Sequence, residues 1–192
     1  IYENEYYIPM GFTYDYYLTR TEYEALSTTQ RELALLKAIV LEDEDAETYA
    51  GLLKSLTAEG DPVYTQSAYL TDCLARRAGA ASSFLYDNRG FTATITLPEE
   101  NLVFFSVPYE DGWSASVNGE PAEVIKTNVG FMAVRCPAGE AVTIRFDYMT
   151  PGLIPGLLIT CGAALLFVLY LMLFRLYDRR RAARIAVAKT ED

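Results

Sequence analysis

The residues best suited to chemistry lie in one short string, Tyr109-Glu110-Asp111-Gly112-Trp113. An aromatic ring offers a flat apolar face on which the C–H side of a sugar can stack, and neighbouring carboxylates accept its hydroxyls. On that reading Tyr109, Asp111 and Trp113 are the candidate substrate-binding residues, with Glu110 as a second acceptor. The same string also reads as a structural corner, with Trp113 packed between sheets and Gly112 supplying a backbone conformation closed to other residues. The structural reading is the simpler one.

Independent catalysis has little to work with. The chain has no histidine, which removes the commonest general base and the commonest transition-metal ligand. No nucleophile motif stands out, so no catalytic residue, no metal and no cofactor is expected. Cys73, Cys136 and Cys161 form no CxxC pair. Cys73 and Cys136 leave a disulfide open in an oxidising compartment, and buried free thiols are the plainer alternative. The acidic run at 42–47 (EDEDAE) lacks the glycine-turned alternation of a calcium loop and reads as a solvated charged loop. The tyrosine-rich start, with seven aromatic residues in the first 17 positions, reads as a packing surface more readily than as a glycan surface.

The elements that must position these residues change character along the chain. Residues 1–18, punctuated by Pro9 and Gly11, read as extended chain and turns. Thr21-x-x-Glu24 and Thr29-x-x-Glu32 have the form of capping boxes and predict two helix starts. A short helix is expected over 49–56. A longer one is expected over 65–78, burying Ala68, Leu70, Leu74 and Ala75 and stopping at Gly79. From Ser83 the period becomes two. Strands are expected at 83–86, 91–97, 102–107, 114–117, 122–125, 131–135 and 141–148, with Asn118-Gly119 as the strongest hairpin signal. The predicted fold is α+β: a helical and extended part over 1–82, then an antiparallel, jelly-roll-like β-sandwich over 83–150.

Residues 152–174 contain no Asp, Glu, Lys or Arg. Those 23 residues make a helix of about 35 Å, against a hydrocarbon core of about 30 Å. A transmembrane helix over 151–174 follows, with a basic tail over 175–192. Arg175, Arg179, Arg180, Arg181 and Arg184 cluster just beyond the span, so the positive-inside rule puts the tail in the cytoplasm and residues 1–151 outside. Gly152, Gly156, Thr160 and Ala163 or Ala164 recur at helical spacing and would let a second helix approach. Residues 1–151 hold 10 Lys and Arg against 23 Asp and Glu, a net charge of −13, whereas 175–192 carry +3. An acidic outer part of this kind repels nucleic acid, which is excluded as a partner. The chain opens on Ile1 with no visible export signal, so it is expected to be part of something longer.

The string Val107-Pro108-Tyr109-Glu110-Asp111-Gly112-Trp113, then Val117-Asn118-Gly119, Gly130-Phe131, Pro137-Ala138-Gly139 and Tyr148-x-x-Pro151-Gly152, resembles the C-terminal end of the YfhO family. The opening Tyr2-Glu3-Asn4-x-x-Tyr7-Ile8-Pro9-x-Gly11-Phe12 and Leu33-Ala34-Leu35-Leu36-Lys37-Ala38 are similar to the same family's last extracytoplasmic region. The resemblance implies a multi-pass bacterial cell-membrane protein, similar to polyprenyl-phosphate-sugar-dependent glycosyltransferases that modify lipoteichoic acid or other envelope polymers. In such proteins the catalytic carboxylate lies in an early extracytoplasmic loop, so this piece would be non-catalytic. The implied partners are the lipid bilayer, the parent's remaining transmembrane helices, and a polyprenyl-linked sugar or envelope glycan. The alternative reading is a membrane-anchored module that binds glycan or protein, or serves assembly, without catalysis.

Overall fold

The computed structural model describes residues 4–58, 60 and 62–188, with side chains through 181. Tyr2, Glu3, Lys189 and the side chain of Arg184 lie outside the described residues. The chain divides into two compact units, Ile1–Met149 and Thr150–Asp192.

The first unit is built on two sheets. The smaller is antiparallel and comprises β5 (Ser83–Tyr86), β6 (Gly90–Leu97), β12 (Gly139–Tyr148), β8 (Trp113–Val117) and β9 (Glu120–Ala122), in the order β5-β6-β12-β8-β9. The larger runs β1 (Phe12–Thr13), β7 (Asn101–Pro108), β11 (Phe131–Cys136), β10 (Ile125–Thr127), β3 (Ile39–Leu41), β2 (Tyr16–Thr19) and β4 (Lys54–Ser55). That sheet is mixed, because β2 pairs parallel with both β3 and β4. It takes strands from both sides of position 82: β1 pairs with β7, and β3 with β10. The α+β class expected from the sequence is the observed one.

Burial explains the strand patterns. Along β6, Phe91, Ala93, Ile95 and Leu97 are buried while their neighbours are not, which is the alternation of a sheet with one covered face. These side chains join Val103, Phe105, Met132 and Val134 of the larger sheet in one core, so the sheets pack face to face. In β7, Leu102, Val103, Phe104 and Phe105 are all buried. The odd and even residues enter different cores: Leu102 and Phe104 meet Phe12, Tyr14, Tyr49 and Leu53 on the sheet's other side. The continuous apolar run is thus the signature of a strand covered on both faces.

The tyrosine-rich start supplies β1 and β2; Phe12 and Tyr14 pack inward, whereas Tyr6 and Tyr7 are exposed. Tyr14 and Leu18 are almost fully buried, and Phe12, Tyr14 and Phe104 contact one another at 5.2 to 5.7 Å. Tyr14 Oη donates to the Leu35 carbonyl at 2.7 Å and accepts from Asn128 Nδ2 at 3.1 Å. Asn128 Oδ1 in turn accepts from the Val40 amide at 2.6 Å. This knot sits in a turn of three successive left-handed residues, Asn128 (φ 45°), Val129 (φ 67°) and Gly130 (φ 139°). Asn and Gly tolerate that region, whereas a β-branched Val there is strained.

The helices correct several sequence expectations. The capping boxes fall two residues earlier, on Thr19/Glu22 for α1 (Arg20–Ala25) and Ser27/Gln30 for α2 (Thr28–Lys37). Both registers fit the motif, and the position is set by where β2 ends, at the Thr19↔Leu41 pair. The acidic run is helical: Glu42 caps α3 (Asp43–Tyr49), whose first turn carries Asp43, Glu44 and Asp45. Carboxylates at a helix N-terminus face the positive end of the dipole, so the run favours a helix start there. The helix expected over 49–56 is absent: α3 ends at Tyr49, and Lys54–Ser55 form β4 instead.

Helix α4 (Gln66–Ala78) is where it was expected, capped by Thr65 and stopped at Gly79. Its buried residues are Cys73 and Arg76, while Leu74 is exposed. The helix is seated by polar ties that its apolar periodicity does not show. Arg76 donates to the Thr13 carbonyl and pairs with Asp15 at 2.7 Å, and Asp72 pairs with Lys37 of α2 at 2.8 Å. The cysteines are free thiols; burial pushes the Cys136 thiol up to about 12.

In the second unit, Pro151 and Gly152 form a turn, with Gly152 at φ 82°, outside the helix. Helix α5 (Leu153–Ala188) then runs unbroken through the apolar stretch and into the arginines. Its segment Leu153–Arg181 has a mean hydropathy of 2.6 in its most apolar window, and none of that window is buried within the protein. A helix this long, apolar on every side and not buried within the chain, suits a membrane span.

Candidate functional site

The string that opened the sequence reading becomes the corner between β7 and β8. The Trp113 amide donates to the Glu110 carbonyl at 3.1 Å, closing the turn, and the Tyr109 amide donates to the Gly130 carbonyl at 2.8 Å. Gly112 is required by space, not by a special φ as expected. A Cβ there would stand 2.4 Å from the Met149 carbonyl oxygen and 2.6 Å from the Tyr148 ring. The backbone passes this close because the Met149 amide donates to the Gly112 carbonyl at 2.9 Å.

Trp113 is half-buried. Its ring lies 5.7 Å from Phe91 and 6.2 Å from Phe146, both edge-on, and 5.0 Å from Tyr148. The last contact follows from register, because Tyr148 is the cross-strand partner of Trp113. Trp113 therefore has a packed side and an open side. The open side faces a cleft of about 480 Å³, walled by Phe84, Tyr86, Phe91, Trp113 and Tyr148. Asp87, Asn88, Arg89 and Glu110 stand around its mouth.

The mouth is electrostatically organised. Arg145 spans two carboxylates, with bonds of 2.8 and 3.1 Å to Asp87 and 2.5 Å to Asp147. Its guanidinium, helped by the Arg89 and Gly90 amides, holds the Asp87 carboxyl well below the usual carboxylate range. The Tyr148 amide donates to the Arg89 carbonyl at 2.7 Å, tying the β5–β6 hairpin tip to the end of β12.

The three candidates from the sequence do not share one site. Trp113 lines the aromatic cleft. Tyr109 lines a separate depression of about 350 Å³ with Glu42, Glu44, Asp45, Glu123 and Lys126. Asp111 is exposed on the loop between them. Sequence reasoning missed Tyr148 as the cross-strand partner of Trp113 and Tyr86 as a further wall of the cleft, since only the register of the smaller sheet brings 86, 113 and 148 to one end.

The fold and the apolar helix define a membrane protein: an α+β unit with two packed sheets, followed by one helix long and apolar enough to cross a bilayer. Residues 80–160 match the family model described as bacterial membrane protein YfhO. The match runs from before β5 into the first turns of α5 and covers less than half of the chain. No curated protein and no solved structure is similar enough to count as a match.

Proposed function

We propose that residues 1–151 are the last extracytoplasmic domain, and α5 the last membrane helix, of a multi-pass envelope glycosyltransferase-like protein that uses a polyprenyl-phosphate sugar. The acceptor class is lipoteichoic acid or a related cell-envelope polymer, and this piece is non-catalytic within it. The observation that carries the reading is the YfhO match, which runs without a break from β5 through β12 and into the apolar helix. The arginines at 175 and 179–181, just past the apolar stretch, support a cytoplasmic C-terminus by the positive-inside rule. The lack of histidine and of any nucleophile motif fits a domain that shapes an acceptor site while chemistry happens elsewhere.

The test is genetic and chemical. A strain lacking the full gene should lose glycosyl incorporation into an envelope polymer. The full-length protein should restore it, and this chain alone should not. Unchanged envelope glycosylation in the deletion strain would refute the reading. External protease on intact cells should cleave sites within 1–151 and spare the arginine-rich end; the reverse pattern would invert the topology.

A further inference from the structure

We propose that the aromatic cleft at the β5–β6 tip binds one neutral pyranose unit of a glycan, with Trp113 and Tyr148 as the stacking wall and Tyr86 as the outer lip. The inference deepens the function proposed above and rests on it only for where the glycan comes from.

The wall is built before any ligand arrives. Phe91 and Phe146 hold Trp113 from behind, with their own rings stacked at 4.8 Å, so little side-chain freedom remains to be lost on binding. Gly112 is the space that lets Tyr148 stand beside Trp113. Yet the surface is not consumed by packing. Tyr148 is 38% exposed and Tyr86 84% exposed, so both rings on the cleft keep surface free for a ligand. The volume falls in the ordinary range for small-ligand sites, about 300–1,000 Å³.

The mouth selects the chemistry. Arg145 and two backbone amides occupy Asp87, which leaves it as a fixed part of the rim. Glu110 and Asn88 are exposed at the same mouth. A carboxylate accepts from hydroxyls and an amide both donates and accepts, which suits the alternating hydroxyls of a sugar edge. A pyranose has one C–H face for the rings and an equatorial belt of hydroxyls for the rim. A phosphate group would meet Asp87 and Glu110 against Arg89, the single cation among the residues lining this mouth, so the cleft suits a neutral sugar unit of such a polymer better than its phosphate.

Trp113 is the single tryptophan in the chain, so its emission reads this cleft alone. The full chain in lipid nanodiscs would be titrated with methyl β-glucopyranoside, methyl β-galactopyranoside and diacetylchitobiose. Glycerol phosphate and phosphatidylcholine vesicles serve as the competing chemistries. The expected result is a saturable, millimolar response to at least one neutral sugar. Binding should weaken about fivefold to tenfold in Tyr148→Ala and in Tyr86→Ala, the worth of one aromatic contact, and should be unchanged in Tyr7→Ala, an exposed tyrosine away from the cleft. Tyr86 is exposed enough for its variant to keep the fold. No response to any neutral sugar overturns the proposal. So does a response to glycerol phosphate or vesicles alone, or one indifferent to Tyr86 and Tyr148. A silent cleft alongside lost glycosylation in the deletion strain refutes this site and leaves the broader function standing.

Discussion

Replacing Asn128 tests whether the two sides of the larger sheet are locked by one buried amide. The side chain does two jobs: Oδ1 accepts from the Val40 amide at 2.6 Å, and Nδ2 donates to Tyr14 Oη at 3.1 Å. Val40, Tyr14 and Asn128 are all buried, so water cannot replace what is lost. Asn128→Gly keeps a backbone at ease at φ 45° but orphans the Val40 donor, which costs about 1–3 kcal/mol. Tyr14 still donates to Leu35, so its loss is the smaller part. Asn128→Ala adds a left-handed residue that alanine does not favour, about 1–2 kcal/mol more. The prediction is an order: wild type, then Gly, then Ala, with roughly 1 kcal/mol between the variants. Denaturant unfolding of the chain in detergent, followed by Trp113 emission, measures it. If Ala and Gly are equal and both fall within about 0.5 kcal/mol of wild type, the hydrogen bonds and the left-handed turn do not carry the load assigned to them.

Gly112→Ala places a methyl group against a backbone carbonyl that cannot rotate away, so it should destabilise by about 1–3 kcal/mol and shift the Trp113 emission in the folded state. A folded-state spectrum and stability like wild type would show that the Gly112–Met149 approach is looser than described. The Asp87–Arg145 link makes an acid-side prediction. The folded Asp87 carboxyl titrates below its unfolded value near about 3.9, so its stabilisation is complete above that pH and disappears as pH falls toward the folded value. Asp87→Asn should therefore flatten the acid limb of a stability–pH profile without altering its neutral shape, and an unchanged acid limb would refute the link.

Much of the fold was legible because it is local. The turn at 87–90, the Asn118-Gly119 hairpin with both residues left-handed (φ 52° and 87°), helix α4 and the apolar helix all follow from signals within a few residues. The illegible parts are long-range. Nothing near Phe12 or Ile39 announces that they pair in the same sheet as Phe104 and Thr127. Residues 137 and 138 look like a hairpin tip, yet β11 and β12 belong to different sheets, so the turn is a crossing between layers. The acidic run misled because charge density suggested a loop while the helix dipole favoured those same carboxylates. The cleft was half visible: Trp113 could be named, but Tyr148 is 35 positions away and meets it only through the register of β12 on β8.

The two sheets end very differently at their margins. In the larger sheet the outermost strands, β1 and β4, are two residues each, too short to recruit another chain. In the smaller sheet β9 is three residues with Pro121 at its centre, which removes a donor. That leaves β5, Ser83–Tyr86, as the one margin with four residues and with Leu85 and Tyr86 in solvent. Within the first unit β5 is therefore the margin open to pairing with another chain, strand against strand, and Leu85→Lys is the change that would close it.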